Sequence, residues 1–412
     1  MSKSKFSKVL AVGAIVAMTL TAAAPAHAGA VRVSSNGVDS GTCGIGSESP
    51  CATIAQAVTN SFDGDTISVG PGSYAGATVN KSVALASSAG TGGAIITSGM
   101  VLAANGIEFG KRGRGFSLTG LGTLVEIAAD EVSVIGNVVS DCTTGVQVSS
   151  GAEAVVRDNS FDGCGMGVSV LAATAAEVRG NRFGYSQITA IFLGAASSSA
   201  VVRENRTFGP SGSGVSISGS DHLLWRNLVH GTPSGGFVAT NVDPPTNVEL
   251  RENLVVSTGS PGYFLQDGSG WALNKNAALN INAPGFYILT TTPVSLAGNI
   301  AIGCSSQGIF ISGGSDHVLT GNSALQNTDV GMVLTSIGTG VTVSGGNLYG
   351  NGGGNCGLAN VSGSAMTTSD VYWGDPAGPG ADPADAVCGN IPLVTVESSA
   401  SSPAKMKMPG IK

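Results

Sequence analysis

The sequence predicts an all-β solenoid of stacked parallel strands, and three observations predict it. An Asn recurs at Asn137, Asn159, Asn181, Asn205, Asn227, Asn253, Asn276, Asn299, Asn322 and approximately Asn347, at intervals of 22 to 26 residues. Eight or nine residues after each of the first nine comes Gly145, Gly167, Ala190, Gly214, Gly236, Gly262, Gly285, Gly308 or Gly331. Apolar residues then alternate in every copy, from Val146 and Val148 through Ile191 and Leu193 to Met332 and Leu334, with Val134, Val178, Leu250 or Leu319 three residues before the Asn. Period two means strand, and units this short leave no room for helices. Repeating in register, each strand lies over its counterpart one coil later, with a rise of about 4.8 Å. Asn amides stacked at one corner can bond along the axis, and the Gly is expected to supply backbone freedom for the other bend.

The elements follow in order. Residues 1–28 read as a secretory signal, with Lys3, Lys5 and Lys8 before an apolar run and Ala26-His27-Ala28 as the cleavage site. Residues 29–63 form an N-terminal cap, 64–350 the coils, 351–397 the last irregular turns and a Gly/Pro-rich closing loop, and 398–412 a disordered tail. No later segment offers an apolar run long enough for a membrane helix. The expected localisation is secreted, either extracellular or periplasmic.

Sixty-three glycines and few charges suggest disorder, but 42% apolar residues argue for an ordered fold. Without the three signal lysines, 16 basic face 26 acidic side chains, a net charge near −10. That balance argues against a nucleic-acid partner and against a generally basic membrane-binding surface. Cys43 with Cys51, Cys142 with Cys164 and Cys356 with Cys388 are candidate disulfides; Cys142 and Cys164 stand at equivalent places in adjacent coils. Cys304 is then a buried free thiol. The sequence leaves the oligomeric state open.

The stretches CATIAQAVTN and DGDTISVGPGSYAGATVNKSVALASS look like a short capping helix followed by the first coils of right-handed parallel β-helix proteins, the broad pectate-lyase-like group. The stretch VYWGDPAGPGADPADAVCG resembles the loop that often ends such solenoids. The resemblance covers nearly the whole chain after the signal and implies a right-handed parallel β-helix with capped ends.

The chemistries of that group can be checked residue by residue. Pectate lyases gather carboxylates around calcium, and no such acidic cluster occurs here, although a calcium site assembled from several coils stays open. Otherwise no cofactor is expected. Of the polygalacturonase motifs only Asn327-Thr328-Asp329 matches. Pectin methylesterases carry a Glu after the Tyr motif and a QDT, whereas Ala75-Gly76 follows Tyr74 and Gln266-Asp267 runs into Gly268. Accessory proteins of copper-enzyme maturation share the fold. However, His222 and His317 both occur in GSDH four coils apart, roughly 19 Å at strand spacing, and cannot share a metal. Turn-capping bonds explain them better. Asp221, Asp267 and Asp329 remain as weak candidate acids.

Two outward rows are candidate binding surfaces. One position between the alternating apolar residues reads Gln147, Ser169, Phe192, Ser216, Val238, Phe264, Tyr287, Phe310 and Val333. Its three successive aromatics make a ladder suited to sugar rings, unless a C-terminal loop covers it. Two residues before the Asn stand Arg157, Arg179, Arg203, Trp225 and Arg251. Guanidiniums suit carboxylates and sulfates, but neighbouring Glu177, Glu204 and Asp158 favour a solvated salt-bridge ladder. The leading expectation is a solenoid that recognises an extended polysaccharide or cell-envelope glycan without a standard catalytic site. The alternatives are a polysaccharide lyase or hydrolase with an atypical carboxylate site, and a structural, adhesin-like surface protein.

Overall fold

Strand alternation at a fixed coil length builds the expected stack. A computed structural model describes residues 29–352 and 354–410; the expected signal at 1–28 lies outside them. Three parallel sheets run the length of the molecule: sheet A with 16 strands, sheet B with 13 and sheet C with 14. Each coil passes from A to B at the Asn corner, then to C, and back to A. Register holds coil after coil, as in Val134 to Val156 to Val178 on sheet A and Phe237 to Tyr263 to Phe286 on sheet C. The inward residues form one continuous core, which includes a stack of Phe237, Tyr263 and Phe286 rings 5.2 and 4.5 Å apart. Near the N-terminus, Thr53 caps the short helix Ile54–Asn60, and Ala30–Val33 starts sheet A.

The Asn ladder is continuous from Asn137 to Asn322. Each main-chain N–H donates to the next coil's Asn Oδ1, and each Nδ2 donates to the same oxygen, all at 2.9 to 3.1 Å. Nδ2 also reaches back to a carbonyl of the preceding coil, as Asn227 does to Val202 at 2.8 Å. Asn347 is not the tenth rung: it pairs with Ser323, and Gly346 occupies the ladder position. A second, shorter ladder at the B-to-C bend runs from the Cys304 N–H to Asn327, to Asn351 and to Asp385.

The Gly mark works differently from the expectation. The left-handed residue that turns A into B is the one before each Asn, such as Asp158, Glu204 or Lys275 with φ of 56°, 56° and 54°. The recurrent Gly is needed for space instead. A Cβ on Gly167 would come within 2.5 Å of the Phe183 ring, and one on Gly236 within 2.6 Å of Val255. The inward side chain of the next coil's sheet B strand occupies that volume.

All three proposed disulfides are formed, and Cys304 is free and buried. Burial pushes its thiol up to about 12. Over its described residues 398–410 the segment expected to be a disordered tail runs beside the coils, with residues 401–408 exposed and Pro409 buried. Asn347 Nδ2 donates to the Ala404 carbonyl at 3.1 Å, and the Ala404 N–H donates to Asn347 Oδ1 at 2.7 Å. The tail then runs back toward the N-terminal end to a recess lined by Arg226, Glu252, Lys275, Lys407, Met408 and Pro409. Apolar residues on its path explain the packing: outward positions of sheet B that are polar and exposed at Arg182 and Arg206 become Ala277 and Ile300, now 0% and 2% exposed.

Candidate functional site: two outward rows

Sheet C places Phe264, Tyr287 and Phe310 side by side on consecutive strands, pointing away from the core. Their ring centroids are 5.6 and 4.7 Å apart and their planes within 6° and 10° of parallel. Parallel rings touch at about 3.5 to 4 Å, so these rings stand further apart than close face-to-face contact. All three are half-buried. The C-terminal region covers the row only at its end, where Val333, Cys356 and Ala359 cluster against Phe310 and Cys388. At the other end Phe192, Val238, Val242 and Asp243 line a shallow recess. Ser169, expected to face solvent, is buried between Gln147 and Phe192 with its hydroxyl unpartnered.

Sheet A carries the second row in the expected register, Arg157 to Arg179 to Arg203 to Trp225 to Arg251. Its guanidiniums are engaged by the protein's own carboxylates. Arg203 Nε lies 2.8 Å from Glu177 and its NH1 3.0 Å from Glu204, and Arg157 lies 2.9 Å from Asp158. Arg179 Nε is 2.9 Å from Glu177 without the angle of a hydrogen bond. Trp225 is flanked by Arg226 and Arg251, 4.6 and 5.9 Å from its ring. Glu252 joins them, its carboxyl held below the usual range chiefly by the hydrogen bond from Arg226. The row is a salt-bridge ladder.

The candidate acids are not brought together. Asp221 precedes a sheet A strand and accepts from Asn247; Asp267 follows a sheet C strand; Asp329 lies on the turn into sheet C and accepts from Gln307. Each pair is separated by two or more coils, about 10 Å or more along the axis. Glycosidase pairs stand roughly 5 to 9.5 Å apart, so no two of these share a bond. Asn327 of the Asn-Thr-Asp tripeptide is a buried ladder amide.

Two of the histidines, His222 and His317, cap turns, while His230 stands exposed at the end of a sheet B strand. His222 and His317 are 1% and 0% exposed, and their Nδ1 atoms accept the Ala200 and Val294 N–H groups at 3.0 and 3.1 Å. The Nε2–H then donates to the Ser218 and Gly313 carbonyls at 2.9 and 2.8 Å. Burial holds both imidazoles below their ordinary pKa. Among the described residues the one group of three convergent His, Cys or carboxylate donors is Asp39 with Cys43 and Cys51, whose sulfurs form a disulfide.

With this geometry the chain is a right-handed parallel β-helix repeat protein. The family model for the right handed beta helix region matches residues 189–348, and the model for the periplasmic copper-binding protein NosD matches residues 58–243. The second match raises the question of copper. Within its span His222 has both nitrogens bonded, Cys142 and Cys164 are joined, the Met100 thioether accepts the Ala77 N–H at 3.2 Å, and the exposed His230 belongs to no group of three convergent His, Cys or carboxylate donors. These residues do not fit a copper site.

No curated protein matches the sequence significantly. Solved structures match along most of the chain at low identity and low TM-score. A PL6 alginate lyase in complex with a trisaccharide is 12% identical over 86% of this chain and 85% of its own, with a TM-score of 0.46. The catalytic unit of a GH87 α-1,3-glucanase from Streptomyces thermodiastaticus is 12% identical over 94% and 71%, with a TM-score of 0.48. A PL6 polysaccharide lyase from Pseudopedobacter saltans is 12% identical over 87% and 94%, with a TM-score of 0.46. Among the described residues no helix is long and apolar enough to cross a membrane.

Proposed function

We propose that this is a secreted solenoid that recognises an extended polysaccharide or cell-envelope glycan, with sheet C as the binding face. The observation that supports this best is the outward stack of Phe264, Tyr287 and Phe310. Three aromatics on the solvent side of a strand row add nothing to a core already filled by Phe237, Tyr263 and Phe286 behind them. Aromatic surface half-open to water favours a ligand with apolar faces and polar rims, which describes a sugar ring. Export fits the three disulfides, which persist in oxidising compartments. The Arg row ranks second, because its charges are already paired.

A broad glycan array on purified protein tests the reading. Binding is expected to weaken about tenfold in Tyr287→Ala, equivalent to about 1.4 kcal/mol, and to change little in Arg203→Ala. Absence of binding on the array, or equal binding by Tyr287→Ala, overturns it. An atypical lyase or hydrolase is the competing reading; unsaturated product absorbance on pectin or alginate would favour a lyase over binding alone, and new reducing ends without that absorbance a hydrolase.

A further inference from the structure

We infer that the glycan held by the aromatic row is electrically neutral and lies along the solenoid axis, which rests on sheet C being the glycan face. The placement of charge carries the inference. Between Phe116 and Ala404 the chain has eight Lys and Arg residues, the first Arg157 and the last Lys275. All eight lie on sheet A, on sheet B or at the corner joining them. The strands of sheet C from Thr123–Ile127 to Ala386–Gly389 contain no Lys or Arg, and neither do the turns on either side of them.

Carboxylates occur on both faces, but those on sheet A are paired with the arginines, whereas those around sheet C have no cation beside them. Asp243 and Asp267 stand on the turns that leave sheet C beside Val238 and Phe264, and Asp329 on the turn that enters it next to Val333. His222 and His317 on those turns are buried and neutral. A uronic-acid or sulfated chain on this face would meet like charges with no cation to offset them, and juxtaposed like charges are strongly unfavourable. A neutral chain meets complementary chemistry. Its ring C–H faces cover the aromatics, while its hydroxyls donate to the carboxylates and exchange bonds with Gln266 and Ser312 on the same strand face. One aromatic per coil, 4.7 to 5.6 Å apart, favours a chain that advances along the axis rather than across the strands.

The experiment is affinity electrophoresis with size-matched neutral polymers (β-glucan, α-glucan, mannan) and acidic ones (alginate, polygalacturonate, chondroitin sulfate). It is run at low and high ionic strength, with calcium and with EDTA. The expected result is retardation by at least one neutral polymer, insensitive to salt and EDTA, and weakened about tenfold in both Tyr287→Ala and Tyr287→Leu. The Leu variant keeps apolar bulk on the strand, so its loss reports the ring and not the fold. Preference for an acidic polymer that Tyr287→Ala abolishes overturns neutrality and leaves the glycan face standing. Acidic binding kept in Tyr287→Ala but lost in Arg203→Ala overturns neutrality and moves the site to sheet A. Retardation by none of the polymers removes the glycan reading, and this inference with it.

Discussion

Asn227 shows what a single rung does. Its Oδ1 accepts from the Asn205 N–H at 3.1 Å and from Asn205 Nδ2 at 3.0 Å, while its Nδ2 donates to Val202 O and Asn253 Oδ1. Asn227→Ala therefore strands a buried N–H and a buried carbonyl, each worth roughly 1 to 3 kcal/mol. Denaturant unfolding should show a loss of about 3 kcal/mol or more, and a change below about 1 kcal/mol would mean the ladder ornaments the corner without stabilising it. His222 makes a comparable prediction through pH. Burial lowers the ring's pKa, and Nδ1 must be unprotonated to accept the Ala200 N–H, so the folded state disfavours imidazolium. The unfolded chain then binds the extra proton first, and stability contributed by this ring, present above the unfolded pKa of about 6.5, is lost as pH falls below it. Thermal melts of wild type and His222→Gln between neutral and mildly acid pH should converge as pH falls, the wild type losing more. Parallel curves would count against neutral capping.

At the scale of elements, the strands were legible because alternation and spacing both survive in the letters. The Asn corner was legible because each amide bonds the equivalent amide of the next coil and so recurs in the letters, and Gly346 escaped notice because a neighbouring Asn347 imitates the mark. The Gly role was misread because a glycine demanded by φ and one demanded by Phe183's volume look identical in sequence. The outward rows were legible, but their accessibility was not: Ser169 and Val333 are buried by neighbours that no period reveals. The tail was misread for a related reason. The short stretch carries no repeat mark, and what it meets is far away in sequence: Asn347 bonds Ala404, at the end of the stripe of Ala277, Ile300 and Ser323. Truncation after Ser402 should uncover this stripe, lower the Tm by about 2 to 4 °C and raise binding of a hydrophobic dye. If neither changes, the tail is not holding the surface it covers.

For the whole molecule, quasi-one-dimensional construction means that coils are exchangeable units whose stability comes from contacts with immediate neighbours. The register gives a direct way to use this. Asn276 and Asn299 are consecutive rungs, and Ala277 pairs with Ile300, so excising residues 277–299 joins equivalent corners without shifting any strand. The shortened chain should fold with its β-rich circular dichroism intact, because every remaining coil finds a neighbour in the same register. It would also bring Phe264 next to Phe310 and reduce the outward row to two rings. Fold and binding are thereby separated: the Tm should fall modestly, while affinity for a polymer that uses the row drops about tenfold for the lost ring. Removing residues 277–288 instead displaces the next corner by half a coil and should leave no stable protein, since inward and outward faces no longer stack. Were the half-coil deletion to fold as well as the full one, in-register stacking would not be what holds this molecule together, and an aromatic row defined by that stacking could not serve as its binding face.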